Sequence, residues 1–336
     1  NTTKDEIKRF KITTDDILLT RTSETKKEIA YASCLLDEVP NCVYSGFLLK
    51  ASPIKKELTY APYITLLLHS PIYRNKLMKV STETSRALIN SDNLSRLNLL
   101  IPSITEQQKI FSLFSSLEIK ITNIEAKINI LKKYKEGIKK YVMKDTIKFW
   151  KTGIGNAIEL KNYLFEKNEY GVKNGLYPHI TLSTEGITDK SERYDRDFLV
   201  KNEDKKYKIT HLNQLCYNPA NLKFGVICIN KYGDGIFSPI YSTFDINNIV
   251  IDYLELIITS NDFINYSMKY QQGTVFERMA VSSDDLCKIK IVTTSFDEQQ
   301  RIAKVADTLN KKISKLEDEL LNLKHLKSTL LNSMFI

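Results

Sequence analysis

The pentapeptide Glu106-Gln107-Gln108-Lys109-Ile110 returns as Glu298-Gln299-Gln300-Arg301-Ile302, 192 residues further along a chain of 336. A repeat of that length constrains the fold more than any single motif, because each copy must build the same unit. At the same offset Leu117 meets Leu309, Lys120 meets Lys312, Ile121 meets Ile313, Glu125 meets Glu317, Leu131 meets Leu323 and Lys135 meets Lys327. Backward, Arg86 meets Arg278, and Ser91-Asp92-Asn93-Leu94 meets Ser283-Asp284-Asp285-Leu286. At a slightly larger offset, Lys8-Arg9-Phe10-Lys11-Ile12-Thr13 meets Lys205-Lys206-Tyr207-Lys208-Ile209-Thr210. The sequence predicts a tandem duplication of one mixed domain followed by one helix.

Apolar periodicity defines the helices. Leu117, Ile121, Ile124, Ile128, Leu131, Lys135, Ile138 and Val142 step by four and three, and Leu309, Ile313, Leu316, Leu320, Leu323, Lys327, Leu330 and Met334 step identically. That is a heptad seam. Two independent amphipathic helices, each packed on its own domain, are the alternative; a seam at one phase in both copies favours mutual pairing. Thr105 and Asp297 stand where an N-cap belongs, and Pro102 closes the element before the first helix. The first helix runs into Ile147-Lys148-Phe149-Trp150 without a linker, and the second starts directly after Phe296. One domain joined to both places implies antiparallel helices. A helix of about 40 residues spans ~60 Å, so the expected shape is a dumbbell with two similar heads. Lys135 and Lys327 occupy equivalent seam positions, a polar break of the kind that fixes register.

The expected division is 1–104 and 149–296 for two heads, with 105–148 and 297–336 for the two spacer helices. Both heads read as α/β or α+β. Asp16 to Arg21, Val226 to Ile229 and Ile289 to Val292 are strand-like, whereas Ala61 to Leu77 and Asp252 to Thr259 are helical in pattern. Residues 8–104 pair with 205–296, so a counterpart of roughly 150–204 is absent from the start of the chain. The chain begins at Asn1 rather than Met, which implies a missing N-terminal piece.

Composition narrows the function. Net charge is +9, from 49 basic and 40 acidic residues, which invites a polyanionic partner. The surplus sits unevenly. Residues 1–104 hold 15 basic and 11 acidic groups, 105–148 hold 10 and 5, 149–296 hold 17 and 18, and 297–336 hold 7 and 6. The second head would therefore have to bind DNA through local patches. No run approaches the ~18–20 apolar residues of a membrane span, and no leader opens the chain. Five cysteines without Cys-x-x-Cys spacing fit reduced thiols in the cytoplasm, and four scattered histidines form no metal cluster.

A domain–helix–domain–helix duplication with Glu-Gln-Gln-[Lys/Arg]-Ile opening each helix resembles the DNA-specificity subunit of type I restriction-modification systems. The residues that carry the resemblance in the first half are Asp16-Ile17-Leu18-Leu19-Thr20-Arg21-Thr22-Ser23, Tyr44-Ser45-Gly46-Phe47-Leu48-Leu49 and Ile101-Pro102-Ser103-Ile104-Thr105-Glu106-Gln107-Gln108. In the second they are Cys216-Tyr217-Asn218-Pro219 and Ser238-Pro239-Ile240-Tyr241. The resemblance implies a non-catalytic subunit serving phage defence, whose target recognition domains each read half of a split duplex site. It implies spacer helices that dock two methyltransferase subunits, with restriction subunits joining the complex. S-adenosylmethionine, ATP and Mg²⁺ would belong to those partners, and no catalytic, cofactor or metal residue is expected in this chain.

Rival readings are thinner. Asn218-Pro219-Ala220-Asn221 departs from the Asn-Pro-Pro-aromatic motif of adenine methyltransferases at its third and fourth positions, and Glu159-Leu160-Lys161 has nuclease-like spacing without a Pro-Asp partner. Gly233-Asp234-Gly235 reads as a turn rather than a phosphate cradle. A structural coiled-coil adaptor would explain the helices but not two matched, aromatic-rich heads. DNA reading needs Arg or Lys for phosphates and guanine edges and Asn or Gln for adenine edges. The candidates are Arg21, Thr22, Ser23 and Lys26; Thr84, Ser85 and Arg86; Asn218, Asn221 and Lys223; Tyr241; and Gln271, Gln272 and Arg278. A solvated loop residue is the alternative for each. Recurrence of Arg86 as Arg278 points to backbone positioning, or to a structural ion pair inside each head.

Overall fold

The computed structural model describes residues 3–83, 85–172, 175–190, 206–273 and 279–335. It forms two compact units, 1–127 with 316–336 and 128–315. The unit boundaries cut through both long helices instead of following the head and spacer boundaries read from sequence, because each helix segment packs into the core of the head it adjoins.

The first unit opens with α1 (Lys4–Phe10), whose N-cap Thr3 and third residue Glu6 form a capping box. Strands β1 (Ile17–Thr20), β2 (Thr22–Ser23), β3 (Ala32–Cys34) and β4 (Leu48–Ala51) follow. β1 is central, antiparallel to β3 and β4, with Ile17 opposite Cys34 and Ala51. The helical stretch predicted from Ala61 to Leu77 is two helices, α2 (Ala61–His69) and α3 (Pro71–Val80). Pro71 forces the break: Ser70 before it is held extended, and the missing N–H of proline costs nothing at a helix start. Then come β5 (Thr82–Glu83), β6 (Ala87–Leu88), α4 (Ser91–Ser95) and α5 (Ile104–Thr152). Tyr63, Leu67, Tyr73, Leu77 and Ile89 form the centre of the core, joined by Phe114 of α5.

The second unit has more strand. β7 (Ile158–Glu159), β8 (Leu164–Lys167), β9 (Tyr170–Gly171), β10 (Ile180–Ser183), β11 (Gly186–Asp189), β12 (Tyr207–Thr210), β13 (Leu215–Tyr217), β14 (Ile227–Ile229), β15 (Gly235–Phe237) and β16 (Ser242–Ile246) precede α6 (Ile251–Ile258) and α7 (Asn261–Ser267). α8 (Ser283–Lys288), β17 (Lys290–Ile291) and α9 (Phe296–Ser333) complete it. The largest sheet has the order β14-β13-β16-β8; β15-β12-β9 is a smaller one. The core gathers Tyr217, Leu222, Phe244, Leu254 and Phe263 with Val142 and Met143 of α5 and Ala303 and Ala306 of α9. Trp150, near the end of α5, stacks on Tyr266 at 3.7 Å and donates to the Lys290 carbonyl at 2.7 Å. Gly153, at φ +70, ends α5, four residues beyond the boundary at 148.

At the helix starts, Ser103 accepts from the Glu106 N–H at 3.4 Å, so the cap of α5 falls two residues before the expected Thr105. Asp297 is the second residue of α9, where a carboxylate suits the positive end of the helix dipole. The repeated glutamines do more. Gln107 is fully buried; its Oε1 accepts from the Tyr60 N–H at 2.9 Å and its Nε2 donates to the carbonyls of Leu58 and Pro102, both at 2.9 Å. Gln299, 5% exposed, accepts from the Val250 N–H at 3.0 Å and donates to the Thr294 carbonyl at 2.9 Å. Tyr60 and Val250 are the N-cap residues of α2 and α6. One amide thus binds the start of a long helix to the start of a head helix.

On the expected seam, Ile121, Ile124, Ile128 and Ile313 are buried. Leu117, Leu131, Lys135, Leu309, Leu316, Leu320, Leu323 and Lys327 are half-buried, and Met334 is exposed. Lys327 forms an ion pair with Glu118, and Lys324 pairs with Glu125 at 2.7 Å. Burial draws the Lys135 ammonium below its usual pKa, Lys139 adding to the effect while Glu255 and Glu136 oppose it.

Gln107→Ala and Gln299→Ala should each destabilise the protein by about 1–3 kcal/mol, since each removes hydrogen bonds from a buried amide to partly buried backbone groups. Denaturant unfolding measures this; unchanged midpoints for both would show that the amides are dispensable.

Candidate nucleic-acid interface

In the first unit Thr22 and Ser23 form a strand of one small sheet of order β2-β6-β5, and Arg21, Lys26, Ser85 and Arg86 lie in the segments that flank its strands. Thr22 lies opposite Leu88 and Ser23 opposite Ala87, while Thr82 and Glu83 pair with the same two residues from the other side. Arg21 enters this ladder through its backbone: its N–H donates to Phe47 at 2.9 Å and its carbonyl accepts from Ile89 at 3.0 Å. The side chains of Arg21, Ser85 and Arg86 are exposed, and those of Thr22, Ser23 and Lys26 half-exposed. Lys26 pairs with Glu83 at 3.3 Å, and Ser23 donates to Glu28 at 3.3 Å. Neither guanidinium, of Arg21 or of Arg86, has an ion-pair partner among the described residues. Two-residue strands this short have little stability of their own, so the neighbourhood must fix them. Arg74 fastens the loop that follows β2, donating to the carbonyls of Lys27 at 2.8 Å, Ile29 at 2.6 Å and Ala30 at 3.2 Å, with its guanidinium 4.8 Å from the Tyr31 ring.

In the second unit the candidates cluster on the turn between β13 and β14. Asn221 and Lys223 are exposed. Asn218 is not available to a ligand: it is 4% exposed and its Oδ1 accepts from the Ala220 N–H at 3.1 Å, the side chain closing the turn. That also accounts for Asn218-Pro219-Ala220-Asn221 as a turn. Gln272 bridges to Ala280, and the Val281 N–H donates to the Pro219 carbonyl at 3.1 Å, which sets exposed Gln272 and half-exposed Gln271 beside the same turn. Tyr241 packs its ring on Phe237 at 4.9 Å and belongs to a satellite cluster that includes Val226. Thr84 and Arg278 lie outside the described residues, so the recurrence of Arg86 as Arg278 cannot be followed in space.

Sequence reasoning missed Arg74, whose role depends on carbonyls that only the fold collects. It also missed Phe47 and Phe224, 76% and 63% exposed beside Arg21 and Lys223. Glu159 pairs with Lys161 at 2.5 Å and Lys290 at 3.8 Å, so its carboxylate is held in a salt bridge. Among the described residues no three His, Cys, Asp or Glu side chains gather as a metal set, and no helix is long and apolar enough to cross a membrane. His211 sits between two carboxylates. Asp234 at 2.9 Å raises the imidazole pKa above its usual range against the opposing effect of partial burial, and Glu169 at 3.2 Å adds to the rise.

Residues 1–133 match the family model of the type I restriction modification DNA specificity domain. No curated protein matches the chain. The fold is similar to that of the type I restriction-modification system S subunit from M. genitalium, at a TM-score of 0.64 and 15% identity, covering 97% of this chain and 84% of that one. The HsdS subunit from Thermoanaerobacter tengcongensis aligns at 0.46 and 12% identity over 96% and 81% of the two chains. A chain from a structure of complex assembly and conformational transition of the type I R-M system aligns at 0.48 and 10% over 96% and 82%.

Arg74→Met should keep the bulk but strand three carbonyls, lowering stability by about 2–3 kcal/mol. Amide exchange should speed up across residues 26–30, and unchanged exchange there would exclude Arg74 as the strut of that loop. The raised pKa of His211 means its contribution is fully present below the unfolded value of about 6.5 and fades as pH rises through the folded value. His211→Gln should remove that part of the pH dependence in denaturant midpoints between pH 5 and 9; an identical profile would show that the histidine is energetically silent.

Proposed function

We propose that the chain is the DNA-specificity subunit of a type I restriction-modification complex, with 1–104 and 149–296 as two target recognition domains reading a bipartite duplex site. The observation that carries this reading is the specificity-domain match over residues 1–133, a stretch that holds Thr22 and Ser23 on strand β2, with Arg21, Lys26, Ser85 and Arg86 in the segments flanking the strands of the same small sheet. Such a surface suits phosphate contacts from the cations and base-edge contacts from the polar side chains.

A duplicated architecture follows from the same reading. It is supported by the shared strand orders β3-β1-β4 and β14-β13-β16, by the paired clamps of Gln107 and Gln299, and by side-chain caps at Asn90 and Ser282 on α4 and α8. An antiparallel coiled coil of 105–148 with 297–336 is supported by the contacts of Phe114 with Phe335, Glu118 with Lys327 and Glu125 with Lys324, whose partner numbers fall as the first rises. The bar would dock two methyltransferase subunits. An apolar groove of about 590 Å³ between Ile130, Tyr134, Ile138 and Tyr141 on α5 and Ile302 and Val305 on α9 offers such a partner a surface. Methyl transfer from S-adenosylmethionine and ATP-driven, Mg²⁺-dependent cleavage would belong to the methyltransferase and restriction subunits, and this chain would contribute recognition alone.

Methylome sequencing of a host with and without the gene tests the reading: a split adenine motif should vanish on deletion. An unchanged methylome, with turnover by the purified chain, would sink it. On the recovered site, Arg21→Ala and Arg86→Ala should weaken binding across sequences and each flatten the salt dependence of affinity by about one unit of slope. Asn221→Ala should instead alter base preference in one half-site. If neither arginine variant moves affinity or slope, the β2-β6-β5 sheet is not the contact surface.

A further inference from the structure

Phe47 and Phe224, 76% and 63% exposed, are the two barest phenylalanines among the described residues, and each stands beside the candidate residues of its own unit. Phe47 lies where the β1–β4 ladder ends at the Thr20–Leu48 pair, and its carbonyl holds the Arg21 N–H at 2.9 Å. Gly46 before it faces open space, and Leu88, opposite Thr22 on the same small sheet, is also exposed. Phe224 ends a tight turn anchored by the fully buried Leu222 and closed by Gly225 at φ +80, which only a residue without Cβ adopts freely. The Lys223 ammonium lies 4.9 Å from its ring centroid. Each ring is therefore exposed on backbone that the fold fixes; a cation adjoins the Phe224 ring, and Phe47 is joined through its backbone to Arg21.

We propose that Phe47 and Phe224 are base-step wedges, one for each half-site, resting on the specificity-subunit reading above. Apolar side chains of this kind enter between stacked bases and partly unstack them while neighbouring cations hold the phosphates. A rigid turn lowers the entropy lost on insertion, and the neighbouring Arg21 and Lys223 supply the charge. The geometry distinguishes these residues from Tyr241, whose ring is already packed on Phe237.

The test uses the full chain assembled with its methyltransferase subunits, on duplexes carrying the recovered site with 2-aminopurine at successive positions. Wild-type binding should raise the fluorescence at one step in each half. Phe47→Ala should abolish the rise in one half and Phe224→Ala in the other, each weakening binding about tenfold with an unchanged salt slope, because no phosphate contact is lost. Phe47→Leu, still an apolar wedge, should keep most of the affinity, and thermal midpoints should not move because the rings are exposed. Both alanine variants matching wild type in affinity and fluorescence would overturn the inference alone. So would loss of methyltransferase assembly with unaltered DNA affinity, which would make the rings protein contacts. A wild-type complex that selects no duplex would overturn the specificity reading itself.

Discussion

Two buried carboxamides govern how the heads meet their helices. Gln107 and Gln299 each accept one N–H at the start of a head helix and donate to carbonyls beside the start of a long helix. A glutamine is suited to this task because its amide offers an acceptor and two donors on one planar group. Helix starts leave N–H groups without partners, and an N–H buried beside a hydrophobic core must be satisfied by something other than water. Leu or Glu at either position would supply the volume but not the same combination of bonds. The repeated middle glutamine is thus explained by satisfaction of backbone groups, independently of any ligand.

The candidate interface of the first unit is built on strands two residues long, and Arg74 ties down the loop that follows β2. Long strands would have been more stable but would have fixed the side chains in a regular array. Short ladders and turns on a rigid helical and sheet base let polar and aromatic side chains be exchanged with little disturbance to the core. Under the proposed reading, a surface that discriminates among base sequences would benefit from that division between a fixed frame and variable tips.

Pattern and chemistry made much of this legible before any coordinates. The heptad spacing in 117–142 and 309–334 picked out positions that are buried or half-buried in α5 and α9, Met334 excepted, because a 3.5-residue repeat can be satisfied only by one face of a helix. The strands at Ile17–Thr20 and Ile227–Ile229 followed from β-branched and apolar runs between turn residues. The break at Ser70 was missed although Pro71 marked it, since apolar periodicity continued across the proline. Asn218 was read as a base-contact candidate because an asparagine in a loop and an asparagine closing a turn have the same composition; only burial separates them.

The sequence alone carried the repeated motif, the apolar periodicity of the two long helices and the residue types near each head's loops, because these depend on spacing along the chain. It could not determine that Gln107 faces Tyr60, that Arg74 reaches the carbonyls of Lys27, Ile29 and Ala30, or that Phe47 stands bare beside Arg21. Those relations join positions 26 to 47 residues apart, and no periodicity encodes them. They were decided by the packing of α2 on β3 and β1 and of α3 on α2 and the turn at 26–28, where the need to satisfy buried N–H and carbonyl groups selects one arrangement of side chains from the many that the local pattern permits.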